Sequence, residues 1–274
     1  MKTIIIPTDF SVIADNAMRF AVDMAKQIHA SVLLLHVYQL PVAISEVPVV
    51  VASADELEEA SEKKLAVLKD EIERSTAYKI KVHTQSKMGN VVDVIEDVSH
   101  VIQPFAIVMG TEGVGKMERL LFGSTTISTM RHLDVPVLII PPGVGFRPVK
   151  KIGLACDLKE VMSSVPEKEI RTVVKEFNAE LHVLNVDRES KVLSAETYEQ
   201  SELLRNMIAD MNPQYHFIDK EDIEEGLNEF ADNNGIDFLI VVPRKHKLLE
   251  GLFRKHHSDE LAFHAHVPVM AIHE

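Results

Sequence analysis

The chain states its pattern twice. Its opening MKTIIIPTD returns as KKIGLACD, with Asp157 falling where Asp9 fell; SVLLLHVY returns as ELHVLNVD, FAIVMGTE as DFLIVVPR, and DVPVLII as HVPVMAI. The offset shortens from 148 residues at the first echo (Asp9 to Asp157) to 132 at the last (Pro136 to Pro268), so the second copy has lost residues between echoes. A duplicated chain folds as two like units, and at 274 residues the usual size of one hydrophobic core also favours two. The turn PPGVGFRP divides them, giving domains at 1–144 and 148–274.

Within each copy, short apolar runs alternate with stretches of helical period. TIIIPTD, SVLLLHVY, KIKVHTQ, FAIVMG and VPVLII read as strands. All but the third are nearly continuous in apolar residues, as strands buried on both faces are. Ala14, Met18, Ala21, Ala25 and Ile28 share one helical face behind Ser11 as N-cap. A capping box from Ser53 to Glu56 opens a second helix, predicted to bury Leu57, Leu65, Leu68 and Ile72. Strand alternating with helix dictates right-handed crossovers and a parallel sheet with helices on both faces, a doubly wound α/β fold in each unit.

Composition narrows the function. With 46% hydrophobic and 26% charged residues the chain can bury a core, and its net charge of −13 repels nucleic acid and anionic lipid over most of its surface. Cys156 is the single cysteine, which excludes an intrachain disulfide and a multi-thiolate zinc site. The first apolar run ends at Pro7, too short for a signal peptide, and there is no run of 18 apolar residues. The expectation is a cytoplasmic protein without nucleic-acid or membrane partners.

The chemistry concentrates in VMGTEGVGKMERLLFGSTTIS, Val108 to Ser128. Gly110, Gly115 and Lys116 meet all but the last position of a Walker A loop, where Met117 has no hydroxyl for magnesium. A ligand-free glycine-rich connection is a second reading. A third uses the spacing Gly110, Gly113, Gly123-Ser124: glycines let main-chain N–H groups approach phosphate oxygens and permit positive φ, and Gly123-Ser124-Thr125-Thr126 opens a helix whose free N–H groups and dipole favour an anion. Lys116 and Arg119 are solvated loop charges by default and potential phosphate contacts.

At this spacing the whole chain resembles the universal stress protein family in its tandem two-domain form, and GTEGVGKMERLLFGS matches that family's ATP-binding signature without a gap. The resemblance implies strand order 3-2-1-4-5 in each five-stranded sheet. It places Pro7, Thr8 and Asp9 against ribose or adenine, the main chain at Val37 against adenine, and Met109, Gly110, Gly113, Gly123, Ser124, Thr125 and Thr126 on the phosphate side. The ligand implied is ATP, or ADP or AMP, with Mg2+, bound at the switch between the first and fourth strands.

The second copy lacks the motif. Pro243 reads as standing where Gly110 stood, His246 where Gly113 stood, and Arg254-Lys255 where Gly123-Ser124 stood. Arg244, Lys245, Lys247, Arg254 and Lys255, with His246, His256 and His257, make this stretch basic; it is a solvated face by default and an anion site as the alternative. His264, His266 and His273 also fall near the end, without a metal-ligand pattern. One nucleotide per chain is therefore expected, in the first domain. The two fifth strands would each leave an apolar sheet edge, and the family covers such edges by pairing them, so Val135 to Ile140 is expected beside Val267 to Ile272 as an intrachain pseudo-dimer, with room for a homodimer. The leading function is a nucleotide-binding stress-response regulator with at most weak ATP hydrolysis. The rivals are a slow ATPase or nucleotidyl transferase using Asp9 and a metal, and a non-nucleotide interaction protein.

Overall fold

The computed structural model describes residues 2–40, 53–111, 124–187, 195–243, 254–255, 261–262 and 267–273. The first half runs β1 (Thr3–Pro7), α1 (Val12–Ile28), β2 (Ser31–Tyr38), α2 (Ala54–Ser75), β3 (Val82–Met88), α3 (Val91–Ile102), β4 (Ala106–Gly110), α4 (Ser124–His132) and β5 (Val137–Ile140). The second runs β6 (Lys151–Ala155), α5 (Val161–Ser164), α6 (Glu167–Phe177), β7 (Glu180–Asp187), α7 (Ala195–Met207), β8 (Gln214–Asp219), α8 (Ile223–Asn234), β9 (Phe238–Val241), β10 (Arg254–Lys255), β11 (Leu261–Ala262) and β12 (Val269–Ala271).

Among the described residues, ten strands form one sheet in the order β3-β2-β1-β4-β5-β12-β9-β6-β7-β8. Each half is parallel and has the order 3-2-1-4-5, counting β12 as the second half's fifth strand. At the centre β5 and β12 pair antiparallel, with Met270 opposite Leu138. Side chains alternate across the sheet: Ile4 and Ile6 pack with α1 and α6 residues on one face, while Ile5 packs with α3, α4 and α8 residues on the other. Both apolar layers draw on both halves.

The caps follow the sequence. Ser11 Oγ accepts the Ala14 amide at 3.1 Å, and the Ser53–Glu56 capping box is made in both directions. Leu65 and Ile72 are buried on α2, which packs on β2 and β3, whereas Leu57 and Leu68, expected with them, are only half-buried. β3 lies three residues later than KIKVHTQ suggests: it pairs with β2 as far as Met88 opposite Tyr38, leaving Ile80 buried ahead of the strand. In the second half the counterpart of α1 is broken into α5 and α6 around Pro166, which has no N–H to continue the helix. The halves are stitched by Gln27, whose amide exchanges two hydrogen bonds with the Val149 backbone (2.9 and 3.0 Å), by the Lys2–Glu176 ion pair, and by Phe177 between Phe105 and Phe238.

A part-buried pair of histidines distinguishes the second half: His182 is buried and His216 half-buried. His182 and His216 stand at the ladder positions that the first half gives to Leu33 and Gln85. His182 Nδ1 and His216 Nε2 lie 3.0 Å apart, and the His216 ring sits 4.6 Å from Phe230 of α8. Burial pushes both imidazole pKa values down, aided at His182 by Lys151 against the pull of Glu180, and aided at His216 by His182. The unfolded chain then takes up protons first as pH falls through about 6.5, so stability declines from there until the folded pair itself titrates. The unfolding midpoint should fall between about pH 7.5 and about pH 5, and the His182→Leu, His216→Gln double variant should flatten that fall. An unchanged slope in the variant would refute the assignment.

Candidate functional site

The end of β1 is wired as a tight turn. Pro7 is the last residue paired with β2, opposite Leu35, and the Thr8 amide donates to the Leu35 carbonyl at 2.9 Å. Thr8 Oγ1 accepts the Phe10 amide at 3.0 Å, and Asp9 Oδ1 accepts the Ser11 amide at 2.9 Å. Side chains that bond the backbone two residues on are what turn a strand into the start of a helix. Phe10 adopts the left-handed conformation (φ 64°) at the corner, and Ser11 caps α1. Asp9 is left exposed, with one carboxylate oxygen committed to its own turn.

Opposite this turn β4 ends at Gly110. A Cβ there would lie 2.5 Å from Ile13 Cγ2 and 2.8 Å from the Ile13 carbonyl oxygen, so the glycine lets α1 start directly against β4. Gly110 does not have positive φ. The expectation that it supplies a left-handed nest is corrected: its physical reason is packing against Ile13. Thr126 Oγ1, in the first turn of α4, donates to the Gly110 carbonyl at 3.2 Å. Thr111 is buried, and its hydroxyl has no hydrogen-bond partner among the described residues.

Between these elements lies a cleft of about 350 Å³ lined, among the described residues, by Pro7, Thr8, Asp9, Ser11, Ile13, Ala14, Leu35, Val37, Val91, Met109, Gly110, Thr111, Thr125 and Thr126. Because β1 lies between β2 and β4, the cleft runs across the carboxyl ends of these three strands, with Leu35 and Val37 toward one side and Met109 to Thr111 toward the other. The first wall is apolar and includes Val91 of α3; the second gathers hydroxyls near the starts of α1 and α4, where helix N–H groups favour an anion.

Eight of the site residues read from the sequence line this cleft: Pro7, Thr8, Asp9, Val37, Met109, Gly110, Thr125 and Thr126. Ser124 begins α4. Gly113 and Gly123 lie outside the described residues, as do Lys116, Met117 and Arg119. Sequence reasoning did not name Ser11, Ile13, Ala14, Leu35, Val91 or Thr111 as site residues. Ser11, Ala14 and Leu35 were legible as a cap, a helix face and a strand, and only the sheet order turns them toward one cleft.

The second half repeats the turn with other residues. The Cys156 amide donates to Leu184 O at 2.9 Å, Asp157 Oδ1 accepts the Lys159 amide at 3.1 Å, and Leu158 is left-handed (φ 53°). The counterpart of Val37 is Val186, against which α8 packs so closely that a Cβ on Gly226 would stand 2.9 Å from Val186 Cγ1. Ladder register puts Val242, not Pro243, at the place of Gly110: Leu239 opposite Val269 matches Ile107 opposite Val137, three residues before each. The glycine is lost either way. Arg254–Lys255, aligned with the start of α4, instead pair antiparallel with Leu261–Ala262. His246, His256, His257, His264 and His266 and the basic residues 244–247 lie outside the described residues, and among the described residues no group of three potential metal ligands occurs. Nor, among them, is any helix long and apolar enough to cross a membrane.

Comparison with known proteins gives one family. Its model, described as the universal stress protein family, matches residues 1–141. A universal stress protein of Methanocaldococcus jannaschii is 28% identical over 141 residues, which are 51% of this chain and 81% of that protein. The structure of a universal stress protein from Archaeoglobus fulgidus superposes with a TM-score of 0.73 at 18% identity, covering 99% of this chain and 98% of its own. A Pseudomonas aeruginosa protein carrying the same family name superposes at 0.61 with 12% identity, covering 99% and 93%. At these identities the superpositions speak for the fold.

Proposed function

The chain belongs to the universal stress protein family, and we propose that it is a stress-response regulatory protein that binds an adenine nucleotide, ATP or its diphosphate or monophosphate, in the cleft of its first half. The observation that carries this reading is the cleft itself: an apolar wall and a hydroxyl-lined wall meet at the strand switch, with Asp9 between them. Leu35, Val37, Val91 and Met109 suit a base, the second Asp9 carboxylate oxygen suits a ribose or base donor, and Thr125, Thr126 and the α4 start suit phosphates. The buried Thr111 hydroxyl, without a partner among the described residues, supports a polar occupant nearby. Mg2+ would arrive with the phosphates and offset their charge.

Asp9 spends one oxygen on the Ser11 amide, which favours a binding role over metal-assisted hydrolysis. In the second half, the loss of Gly110's counterpart and the packing of α8 on Val186 support a single nucleotide per chain. We read the antiparallel β5–β12 ladder as an intrachain pseudo-dimer contact, with other faces left for a homodimer.

Thermal unfolding with added nucleotide tests the reading. ADP or ATP with Mg2+ at a hundredfold over its dissociation constant should stabilise the protein by about 2.7 kcal/mol. That is a rise of several degrees, at roughly 2–4 °C per kcal/mol. No rise with any adenine nucleotide, or an equal rise with uridine and cytidine nucleotides, would overturn it.

A further inference from the structure

We infer that His36 is a positioning residue for this cleft: acting from the opposite face of the sheet, it holds the Thr8 carbonyl and so fixes the turn that presents Asp9. The inference rests on the nucleotide reading for its consequence, though not for its geometry. β1 stops pairing at Pro7, and Thr8 N–H makes the last ladder-like bond to Leu35. The next acceptor, Thr8 C=O, is met by His36 Nδ1 at 2.7 Å. A carbonyl only accepts, so Nδ1 carries the proton.

His36 lies between Leu35 and Val37, which line the cleft, so its ring projects to the other face. There it meets the Phe10 ring at 4.5 Å, and Lys64 of α2 lies 5.0 Å from the centre of that ring. Phe10 is left-handed, a conformation that a bulky residue holds only where its surroundings impose it. His36 grips both sides of Asp9: the carbonyl before it and the ring after it.

The second half builds the same contact with a different side chain. Asn185 follows Leu184 as His36 follows Leu35, and its Nδ2 donates to the Cys156 carbonyl at 3.0 Å, beside a left-handed Leu158. Asn Nδ2 and His Nδ1 are attached at the same point, one bond beyond Cγ, so they place a donor in the same spot. The shared requirement is a donor at the δ position. Glutamine, whose amide is one bond further out, does not meet it.

The experiment compares wild type with His36→Asn, His36→Gln and His36→Leu. Calorimetric titration with ADP and Mg2+ should show His36→Asn within about twofold of wild type, and the Leu and Gln variants weakened about tenfold or more. Amide exchange in the nucleotide-free protein gives an independent reading. The Phe10 and Ser11 amides, bonded to Thr8 Oγ1 and Asp9 Oδ1, should exchange about tenfold faster in His36→Leu and unchanged in His36→Asn, with the β5–β12 amides unaffected in both. If wild type binds no nucleotide, the functional reading falls while the exchange data still decide the role of His36. Unchanged exchange and affinity in His36→Leu, or failure of His36→Asn to behave better than His36→Leu, would overturn the inference.

Discussion

Leu138→Asp should cost the chain most of its stability. Leu138 is fully buried in the central ladder, opposite the equally buried Met270, and both belong to the apolar layer that spans the two halves. The substitution forfeits about 1.5–3 kcal/mol of burial. It also places an unpaired carboxylate where no water reaches, which costs several kcal/mol more or forces the group to stay protonated. Against a total stability of about 5–15 kcal/mol, a loss of ~4 kcal/mol or more should leave the variant aggregated or unfolded at much lower denaturant. Val67→Asp, on the exposed side of α2, should stay within about 0.5 kcal/mol of wild type. Equilibrium denaturation checks both, and a Leu138→Asp chain as stable as wild type would show that the two fifth strands do not meet in solution.

Gly110→Val should damage stability and cleft together. The new Cβ would meet not only the movable Ile13 side chain but the Ile13 carbonyl at 2.8 Å, so the first turn of α1 must shift. Overpacking of this kind costs typically about 1–3 kcal/mol. Because Gly110, Ile13 and Ala14 all line the cleft, nucleotide affinity should fall by at least about tenfold as the wall moves. The second half carries Val242 at the equivalent place, and its counterpart to the start of α1 is the four-residue α5. Wild-type stability in Gly110→Val would mean that α1 does not approach β4 as closely as the structure has it.

Much of this architecture is legible in the sequence because strands buried on both faces leave continuous apolar runs: IIIP, VLLL, AIVM and VLII each became a strand. The edge strands carry less signal. In β3 polar side chains outnumber apolar ones, which is why its limits shift by three residues, and QYHFID of β8 breaks its apolar pattern with His216 and was not read as a strand. The cleft residues at the ends of β1 and β4 could be named because chain order and turn chemistry place them. The reason for Gly110 could not, since its contact with Ile13 is made nearly a hundred residues away along the chain and exists only once α1 is docked. The slip from Val242 to Pro243 has no such reason: FAIVMGTE set against DFLIVVPR already puts Val242 opposite Gly110, and the hydrogen-bonded ladder gives the same register. His36 was read merely as part of a strand, because nothing in SVLLLHVY says that one ring will reach back to the neighbouring strand's last carbonyl.

Calorimetric titration of ADP with Mg2+ into the full chain, repeated on Asp9→Ala and on Asp157→Ala, tests the central claim most directly. The account predicts one site per chain. Asp9→Ala should weaken it by about tenfold or more, as loss of a charged hydrogen bond worth ~1.5–3 kcal/mol implies, and Asp157→Ala should leave it unchanged. Two equivalent sites, no saturable binding, or a loss caused by Asp157→Ala in place of Asp9→Ala would contradict it.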